Sequence, residues 1–267
     1  MKNISYKKQH KISAWRKTSL ASWKPTGDSS CYGFEDVIVD DVLIYCKANN
    51  ISIYSFFIKT IANVLHLEPK INSTIRWGKL YERETKSVFF HTISKNEPDD
   101  LTGIVIRDGH SKSIADVQSE FKFKIKKANQ GINDFVESKK IVKLLPAFFT
   151  KSILNIYSFF AYSLNINLPL FKQPNDAFGS VMLTSVGQFG IANALCPIAP
   201  YTRVPMVISM GDVIEKPVVI DQKVQVRKVL TLGFTFDHRI MDGVHIAKFI
   251  NGLRSIFNNP NSINNEQ

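Results

Sequence analysis

The stretch Phe236-Asp237-His238-Arg239-Ile240-Met241-Asp242-Gly243 stands where the spacing of apolar residues changes. Before it, apolar and polar residues alternate over residues 230–236, which predicts a strand with one apolar face. After it, apolar residues recur at helical spacing, and they are Ile246, Ile250, Leu253 and Phe257. The sequence therefore predicts a strand, a short loop and a helix, with His238 in the loop.

The loop carries an imidazole among charged side chains, those of Asp237, Arg239 and Asp242. A neutral imidazole, with a pKa near ~6.5, accepts a proton from a thiol at physiological pH. A lone histidine is more often a hydrogen-bonded structural residue, but the position of His238 between two rigid elements favours a general base. Asp242 precedes the predicted helix and is also a favoured N-cap, worth about 0.5–2 kcal/mol.

The length of 267 residues favours a single domain, because α/β domains of this length are ordinary. The expected elements are a helix at 51–67 capped by Ser52, strands at 87–94 and 102–107 around a polar turn at 96–100, a helix at 113–127, and a hairpin at 218–226 that turns at 221–223. We expect an N-terminal arm or first helix at residues 1–30, a single domain at 31–257 and a disordered, Asn-rich tail at 258–267.

Residues 141–171 form an unusual, mostly apolar insertion. Residues 152–171 carry no charge and barely reach the ~20 apolar residues that a membrane span needs. Serine, asparagine and proline dilute this stretch, so we expect a buried or interface helix that ends near Leu164. Contact of the insertion with a membrane surface is the alternative.

The composition indicates which ligands the protein could bind and in which cellular compartment we expect it. The net charge of +11 fits an anionic small molecule as well as general solubility, and no nucleic-acid-binding signature accompanies it. The three cysteines lack metal-ligand spacing, so we expect free thiols, no metal site and a reducing compartment. The basic N-terminus lacks the apolar core of a signal peptide, which makes the cytoplasm the expected location.

The segment Asp237-His238-Arg239-x-x-Asp242-Gly243 after an alternating strand resembles the D-H-R-x-x-D-G signature of the acyltransferase components of 2-oxoacid dehydrogenase complexes. It is also similar to the H-x-x-x-D-G motif of chloramphenicol acetyltransferases. Further stretches resemble family markers in the same order, at residues 15–17, 69–72, 105–108, 113–114, 184–190 and 214–217. The resemblance implies the coenzyme A-dependent acyltransferase (chloramphenicol acetyltransferase-like) fold, a mixed sheet packed with helices in a trimer.

The resemblance also implies catalytic roles. His238 corresponds to the general base that deprotonates the attacking thiol. Thr184 corresponds to the family's hydroxyl residue, usually serine, which donates a hydrogen bond to the oxyanion of the tetrahedral intermediate. The neighbouring Ser185 is the alternative donor. The β-branched threonine keeps the hydroxyl but is stiffer at its first side-chain torsion.

Other motif residues are expected to support the site. In the family, the aspartate that corresponds to Asp242 holds the active-site loop, commonly through an ion pair with an N-terminal arginine, to which Arg16 corresponds. Asp237 and Arg239 are assigned supporting roles, and Gly243 suits a tight turn.

In the family, the histidine of one subunit faces the hydroxyl residue of its neighbour, so the resemblance implies at least a homotrimer. Coenzyme A or acyl-coenzyme A is the expected substrate, with no permanently bound cofactor, and a small thiol or hydroxyl compound or a lipoyl-type group is the expected acceptor. The chain has no room for a lipoyl domain, so we expect a stand-alone acyltransferase. The alternatives are an antibiotic O-acetyltransferase and a non-catalytic trimeric scaffold or membrane-associated relative.

Overall fold

The computed structural model describes residues 3–9, 29–94, 97–132, 135, 147–168 and 174–264. The strands are β1 Tyr6–Gln9, β2 Ser30–Ile38, β3 Ser73–Arg76, β4 Lys79–Arg83, β5 Val88–Ser94, β6 Glu97–Ile106, β7 Val181–Ser185, β8 Met206–Ile220 and β9 Lys223–Asp237. The α-helices are α1 Asp40–Ala48, α2 Ile53–Leu67, α3 Ile114–Asn129, α4 Ala147–Ser158 and α5 Gly243–Asn258. The expected arm or helix at 1–30 falls largely outside the described residues.

A six-stranded sheet with the order β2-β9-β8-β7-β5-β6 forms the centre of the molecule. Strand β7 runs parallel to both β5 and β8, and the other neighbouring pairs are antiparallel. A second, three-stranded sheet has the order β1-β4-β3. The predicted α/β class, with a mixed sheet packed by helices, is confirmed.

One face of the large sheet, called the helical face below, carries the main hydrophobic core. Side chains from α1, α2, α3 and α5 bury against it, and Phe57 of α2 and Phe257 of α5 lie with ring centroids 4.9 Å apart. Helix α2 begins as the sequence predicts, because the Ser52 side chain accepts a hydrogen bond from the Ser55 amide. Burial of the periodic apolar side chains of α2 and α5 therefore fixes these helices on the sheet.

The opposite face, called the second face below, carries a smaller cluster. Phe89 of β5, Met182 of β7 and Val207 of β8 belong to it, and Tyr157 of α4 packs with them. Helix α4 continues into a π-helical turn, Phe159–Ser163, and ends at Leu164, as the sequence predicts. No helix within the described residues is long and apolar enough to cross a membrane.

The predicted hairpin turn is confirmed, but its strands are much longer than expected. Asp221 and Gln222 both have positive φ, 50° and 61°, as a two-residue hairpin turn of the I′ kind requires. Beyond Met210 the strand β8 no longer pairs with β7, which ends at Ser185. Pro217 can sit there because an edge strand tolerates the missing amide hydrogen, and so this Pro-containing stretch is β-structure.

The expected polar turn at 96–100 is wrong for residues 97–100, since β6 already begins at Glu97. The expected disorder of the tail is wrong for residues 260–264, which form a 3-10 turn with a fully buried Ile263. The Asn264 side chain accepts a hydrogen bond from the Ile114 amide at 2.9 Å, and Asn63 donates to the Ile263 carbonyl at 2.9 Å. One buried isoleucine and these long-range hydrogen bonds outweigh the polar composition. Residues 265–267 lie outside the described residues.

Candidate functional site

The loop after β9 is anchored by main-chain hydrogen bonds. The amide of Asp237 donates to the Pro205 carbonyl, and the amide of His238 donates to the Ser29 carbonyl, both at 2.9 Å. The chain then turns tightly, because the amides of Ile240 and Met241 both donate to the Asp237 carbonyl. Three segments that are distant in sequence therefore fix the position of His238.

The half-buried His238 ring has a defined tautomer. Its Nδ1 lies 3.0 Å from the Met241 carbonyl oxygen. A carbonyl can only accept, so in a neutral ring Nδ1 carries the hydrogen and Nε2 carries the lone pair. The loop thus presents a histidine whose Nε2 has the form that a general base needs.

Asp237 and Arg239 form a bidentate ion pair beside this histidine. The guanidinium Nε and Nη2 of Arg239 donate to the two carboxylate oxygens at 3.0 and 2.7 Å, and the Ser29 hydroxyl donates to Oδ1 at 3.1 Å. The hydrogen bonds to Asp237 raise the pKa of Arg239 above its ordinary value. The pair straddles His238 in sequence, and its two-point geometry stiffens the loop.

Asp242 is the N-cap of α5, and it also contacts a second histidine. Its Oδ1 accepts from the His245 amide at 3.4 Å and lies 2.6 Å from Nδ1 of His245. The i,i+3 spacing after an N-cap is the sequence signal for this contact, which sequence reasoning did not assign. Arg16, the expected partner of Asp242, lies outside the described residues. Gly243 is the first residue of α5, and an added Cβ there would meet no atom within 4 Å, so its assigned turn role stays a prediction.

The two candidate oxyanion donors lie on opposite faces of β7. Ser185 is buried on the helical face, and its hydroxyl lies 3.4 Å from the hydroxyl of Tyr54 in α2. Thr184 is half-buried on the second face, because side chains alternate along a strand and its neighbour Leu183 belongs to the main core. Of the two hydroxyls, only that of Thr184 is on the second face.

The chain after β7 crosses the second face in close contact with two glycines. A Cβ at Gly211 would lie 1.8 Å from the Ala192 carbonyl oxygen, and one at Gly233 would lie 2.1 Å from that of Ala194. Glycine is therefore needed at both positions, for the close approach of another backbone. This segment therefore lies against β8 and β9.

Thr184 and His238 are well separated within one subunit. Thr184 pairs with Ser209, which pairs with Gly233, so His238 lies two strands across and five residues along from Thr184. At about 4.8 Å per strand and about 3.3 Å per residue, the separation is about 10 Å across the sheet and about 16 Å along it. One described subunit does not bring the predicted base and the predicted oxyanion donor together.

The sequence matches a family model described as 2-oxoacid dehydrogenases acyltransferase (catalytic domain) over residues 173–264. The lipoamide acyltransferase component of the branched-chain alpha-keto acid dehydrogenase complex of Pseudomonas putida is 35% identical over 81 residues, 30% of this chain and 19% of that protein. The dihydrolipoyllysine-residue succinyltransferase component of the 2-oxoglutarate dehydrogenase complex of Buchnera aphidicola is 25% identical over 224 residues, 81% of this chain and 42% of that protein. The chain thus spans less than half the length of these two relatives.

Solved structures share the fold over nearly the whole chain. A probable dihydrolipoamide acetyltransferase from Listeria monocytogenes superposes with a TM-score of 0.64 at 19% identity, covering 97% of both chains. A dihydrolipoamide acetyltransferase from Azotobacter vinelandii, studied for the role of a serine, a histidine and an asparagine in its catalytic mechanism, gives 0.64 at 17% identity, covering 96% and 94%. A chloramphenicol acetyltransferase gives 0.51 at 10% identity, covering 96% and 99%.

These similarities confirm the predicted fold, that of the chloramphenicol acetyltransferase-like catalytic cores. The family match begins before β7 and runs through β8, β9, the His238 loop and α5. It therefore contains both the candidate base and the candidate hydroxyl donor. Residues 173–264 thus match the catalytic domain of the 2-oxoacid dehydrogenase acyltransferases, within a chain that shares its fold with the solved acyltransferases.

Proposed function

We propose that this protein is a coenzyme A-dependent acyltransferase that moves an acyl group between coenzyme A and a thiol or hydroxyl acceptor, with His238 as the general base. The observation that carries the proposal is the tautomer of His238, in which Nδ1 is held by the Met241 carbonyl and Nε2 keeps its lone pair. The family match over the same loop supports it.

The proposed reaction begins with proton transfer to His238. Nε2 takes the proton from the attacking thiol or hydroxyl, and the resulting anion forms a bond to the carbonyl carbon of the acyl thioester. The tetrahedral intermediate then collapses, the bond to the leaving thiolate breaks, and that thiolate takes the proton back from Nε2. The reaction needs no oxidant or reductant, because the acyl group is only transferred from one thiol or hydroxyl to another.

Thr184 is the proposed donor to the oxyanion of that intermediate. Its position on the second face supports this assignment, since Ser185 is turned into the helical layer against Tyr54. A donor that is fixed before the reaction stabilises the developing charge at little reorganisation cost. Asp242 orients the loop through the N-terminus of α5 and its contact with His245.

A homotrimer completes the proposed site. Since Thr184 and His238 of one subunit are far apart, the hydroxyl that faces His238 belongs to the neighbouring subunit. The distance between Thr184 and His238 within one chain is the observation that supports this assembly. The net charge of +11 favours the approach of coenzyme A, whose phosphates are anionic.

A lipoyl-type thiol is the acceptor that we favour, because the two relatives described above are acyltransferase components of dehydrogenase complexes. The cytoplasm fits the three cysteines, which are all free thiols. The single-domain organisation over residues 31–257 and the ion pair between Arg16 and Asp242 are part of the same proposal.

The test is acyl transfer by the wild-type protein and by His238→Ala. Acyl-coenzyme A donors are offered with dihydrolipoamide, chloramphenicol and a panel of alcohols, and free coenzyme A thiol is measured. We expect turnover in the wild type and a loss of about 10²–10⁴-fold in folded His238→Ala. Wild-type turnover in the variant would refute the general-base role.

A non-catalytic trimeric scaffold is the second candidate, favoured by the aromatic side chains that α4 and its π turn leave exposed, Phe159 and Phe160. Titration calorimetry with coenzyme A distinguishes the enzyme from the scaffold. Binding supports the enzyme, and a folded trimer that does not bind supports the scaffold.

A further inference from the structure

We propose that this protein docks on the surface of anionic membranes through a group of exposed apolar side chains, called the aromatic surface below. Two segments that are distant in sequence form it, the β3–β4 turn and the end of α4 with the residues that follow. Its members are Trp77, Ile156, Phe159, Phe160 and Ile166. The inference does not depend on the chemistry at His238.

Ring contacts join the members into one surface. The ring centroids of Trp77 and Phe159 are 5.9 Å apart, and those of Phe159 and Phe160 are 5.6 Å apart, both in edge-to-face contact. The Ile166 amide donates to the Phe160 carbonyl at 3.0 Å, which holds the chain after the π-helical turn beside these rings. Ile156 precedes Phe160 by about one helical turn, so it adds to the same side.

The position of Trp77 is unusual for a large aromatic residue. It lies at the tip of the hairpin in which Arg76 pairs with Lys79, and its φ of 52° is in the left-handed region, which bulky residues rarely adopt. Its side chain is 61% exposed. The turn itself does not require an indole there, and contiguous exposed apolar side chains mark interaction sites.

The two segments are held together as one support. The guanidinium Nε of Arg76 donates to the Ser163 carbonyl at 2.8 Å, which ties the hairpin to the π-helical turn. The same guanidinium lies over the ring of Tyr6, 5.3 Å from its centroid. On the inner side of the helix, Tyr157 and Tyr162 are buried. The aromatic surface is therefore formed before it meets a partner, so little ordering entropy is lost on docking.

Positive charge accompanies the aromatic surface in the sequence. Residues 69–81 contain Lys70, Arg76 and Lys79 without any Asp or Glu, and residues 138–175 contain five lysines without any Asp or Glu. Lys70 and Lys79 are exposed. Lysine and arginine near exposed Trp and Phe side chains are typical of proteins that lie on anionic lipid headgroups. Charge complementarity therefore favours an anionic membrane surface as the partner.

The test is sedimentation of the full-length protein with two kinds of vesicle, one of phosphatidylcholine and phosphatidylglycerol in equal amounts and one of phosphatidylcholine alone. We expect binding to the anionic vesicles and about tenfold weaker binding to the neutral ones, with the difference reduced by salt. Trp77→Asn removes the indole but keeps a residue that tolerates positive φ. This variant, and Phe159→Gln combined with Phe160→Gln, should each bind the anionic vesicles about tenfold more weakly.

Phe123→Gln is the matched control. Phe123 is a 58% exposed aromatic residue with the Lys127 ammonium 4.5 Å from its ring centroid, but it lies on α3, on the helical face. We expect this variant to bind like the wild type. Equal losses in Phe123→Gln and Trp77→Asn overturn the proposal, because binding would then not depend on the aromatic surface.

Fluorescence tests the same contact without removing the indole. The tryptophans are Trp15, Trp23 and Trp77, so Trp15→Phe with Trp23→Phe leaves only Trp77. We expect a blue shift of its emission on addition of the anionic vesicles, and quenching by lipids brominated on the acyl chains. An unshifted emission, or a wild type that does not sediment with the vesicles, overturns the proposal. So does a Trp77→Asn variant that falls to a smaller oligomer in gel filtration, because another subunit would then cover the aromatic surface.

Discussion

The two faces of the central sheet are built from the same strands but carry different kinds of side chain. On the helical face, large apolar side chains from four helices bury against Leu183, Phe234 and their neighbours. On the second face, polar or absent side chains share one row across three strands, and they are Thr184, Ser209 and Gly233. The helical face supplies stability, and the second face offers polar groups on a rigid support.

Strand β7 shows the division within five residues. Leu183 and Ser185 point into the helical layer, while Met182 and Thr184 point to the second face. The hydroxyls of Thr184 and Ser185 therefore lie in different surroundings, although the two residues are adjacent in the sequence. A side-chain period of two decides which hydroxyl lies on the second face.

The largest expected effect of the comparison is on stability. Phe57→Ala on the helical face removes a fully buried ring and should lower the free energy of unfolding by about 3–5 kcal/mol. Phe34→Ala, on the second-face side of β2 with its side chain 51% exposed, should change it by about 0.5 kcal/mol or less. Denaturant titration measures both. A large loss for Phe34→Ala would mean that another subunit covers this ring in the assembly.

The next effect separates the two hydroxyls of β7. Thr184→Ala should raise the activation free energy by about 2.7–4 kcal/mol, because the oxyanion loses its donor. Ser185→Ala should leave kcat unchanged and cost only the stability of its contact with Tyr54. Steady-state kinetics with unfolding curves for both variants measures this. The opposite ranking would move the oxyanion donor to Ser185.

The smallest expected effect concerns pH. The folded-state pKa of His91, about 4, lies below its ordinary value of 6.5, so the unfolded chain binds the proton first as the pH falls. The stability from neutral His91 is complete above pH 6.5 and is lost as the pH falls through this window, by at most about 1.4 kcal/mol per pH unit. Unfolding free energies of wild type and His91→Leu at pH 7.5 and 5 measure it. Parallel pH dependence in the two proteins would contradict it.

Local patterns in the sequence predicted several elements because local physics decides them. Ser52 capped α2, and Asp242 capped α5, since a side-chain acceptor before a periodic apolar run needs only near neighbours. The positive φ of Asp221 and Gln222 likewise belongs to the turn itself. The motif around His238 was found for the same reason, because its residues are contiguous.

Long-range contacts account for the errors. The tail up to Asn264 is ordered by partners in α2 and at the start of α3, which lie more than a hundred residues away. Pro217 lies in a strand because β7 ends early and leaves β8 as an edge. The composition of these segments predicts neither the ordered tail nor the strand around Pro217, since both depend on which segments become neighbours in the fold.

The sequence by itself determined the strand–loop–helix unit around His238 and the capping of α5, because apolar periodicity and short-range hydrogen bonds depend only on residues that are close together in the chain. Only the tertiary structure decided that Thr184 rather than Ser185 lies on the second face, and that His238 is about 16 Å further along the sheet. Strand register sets these relations, and register follows from burial of one face against the helices.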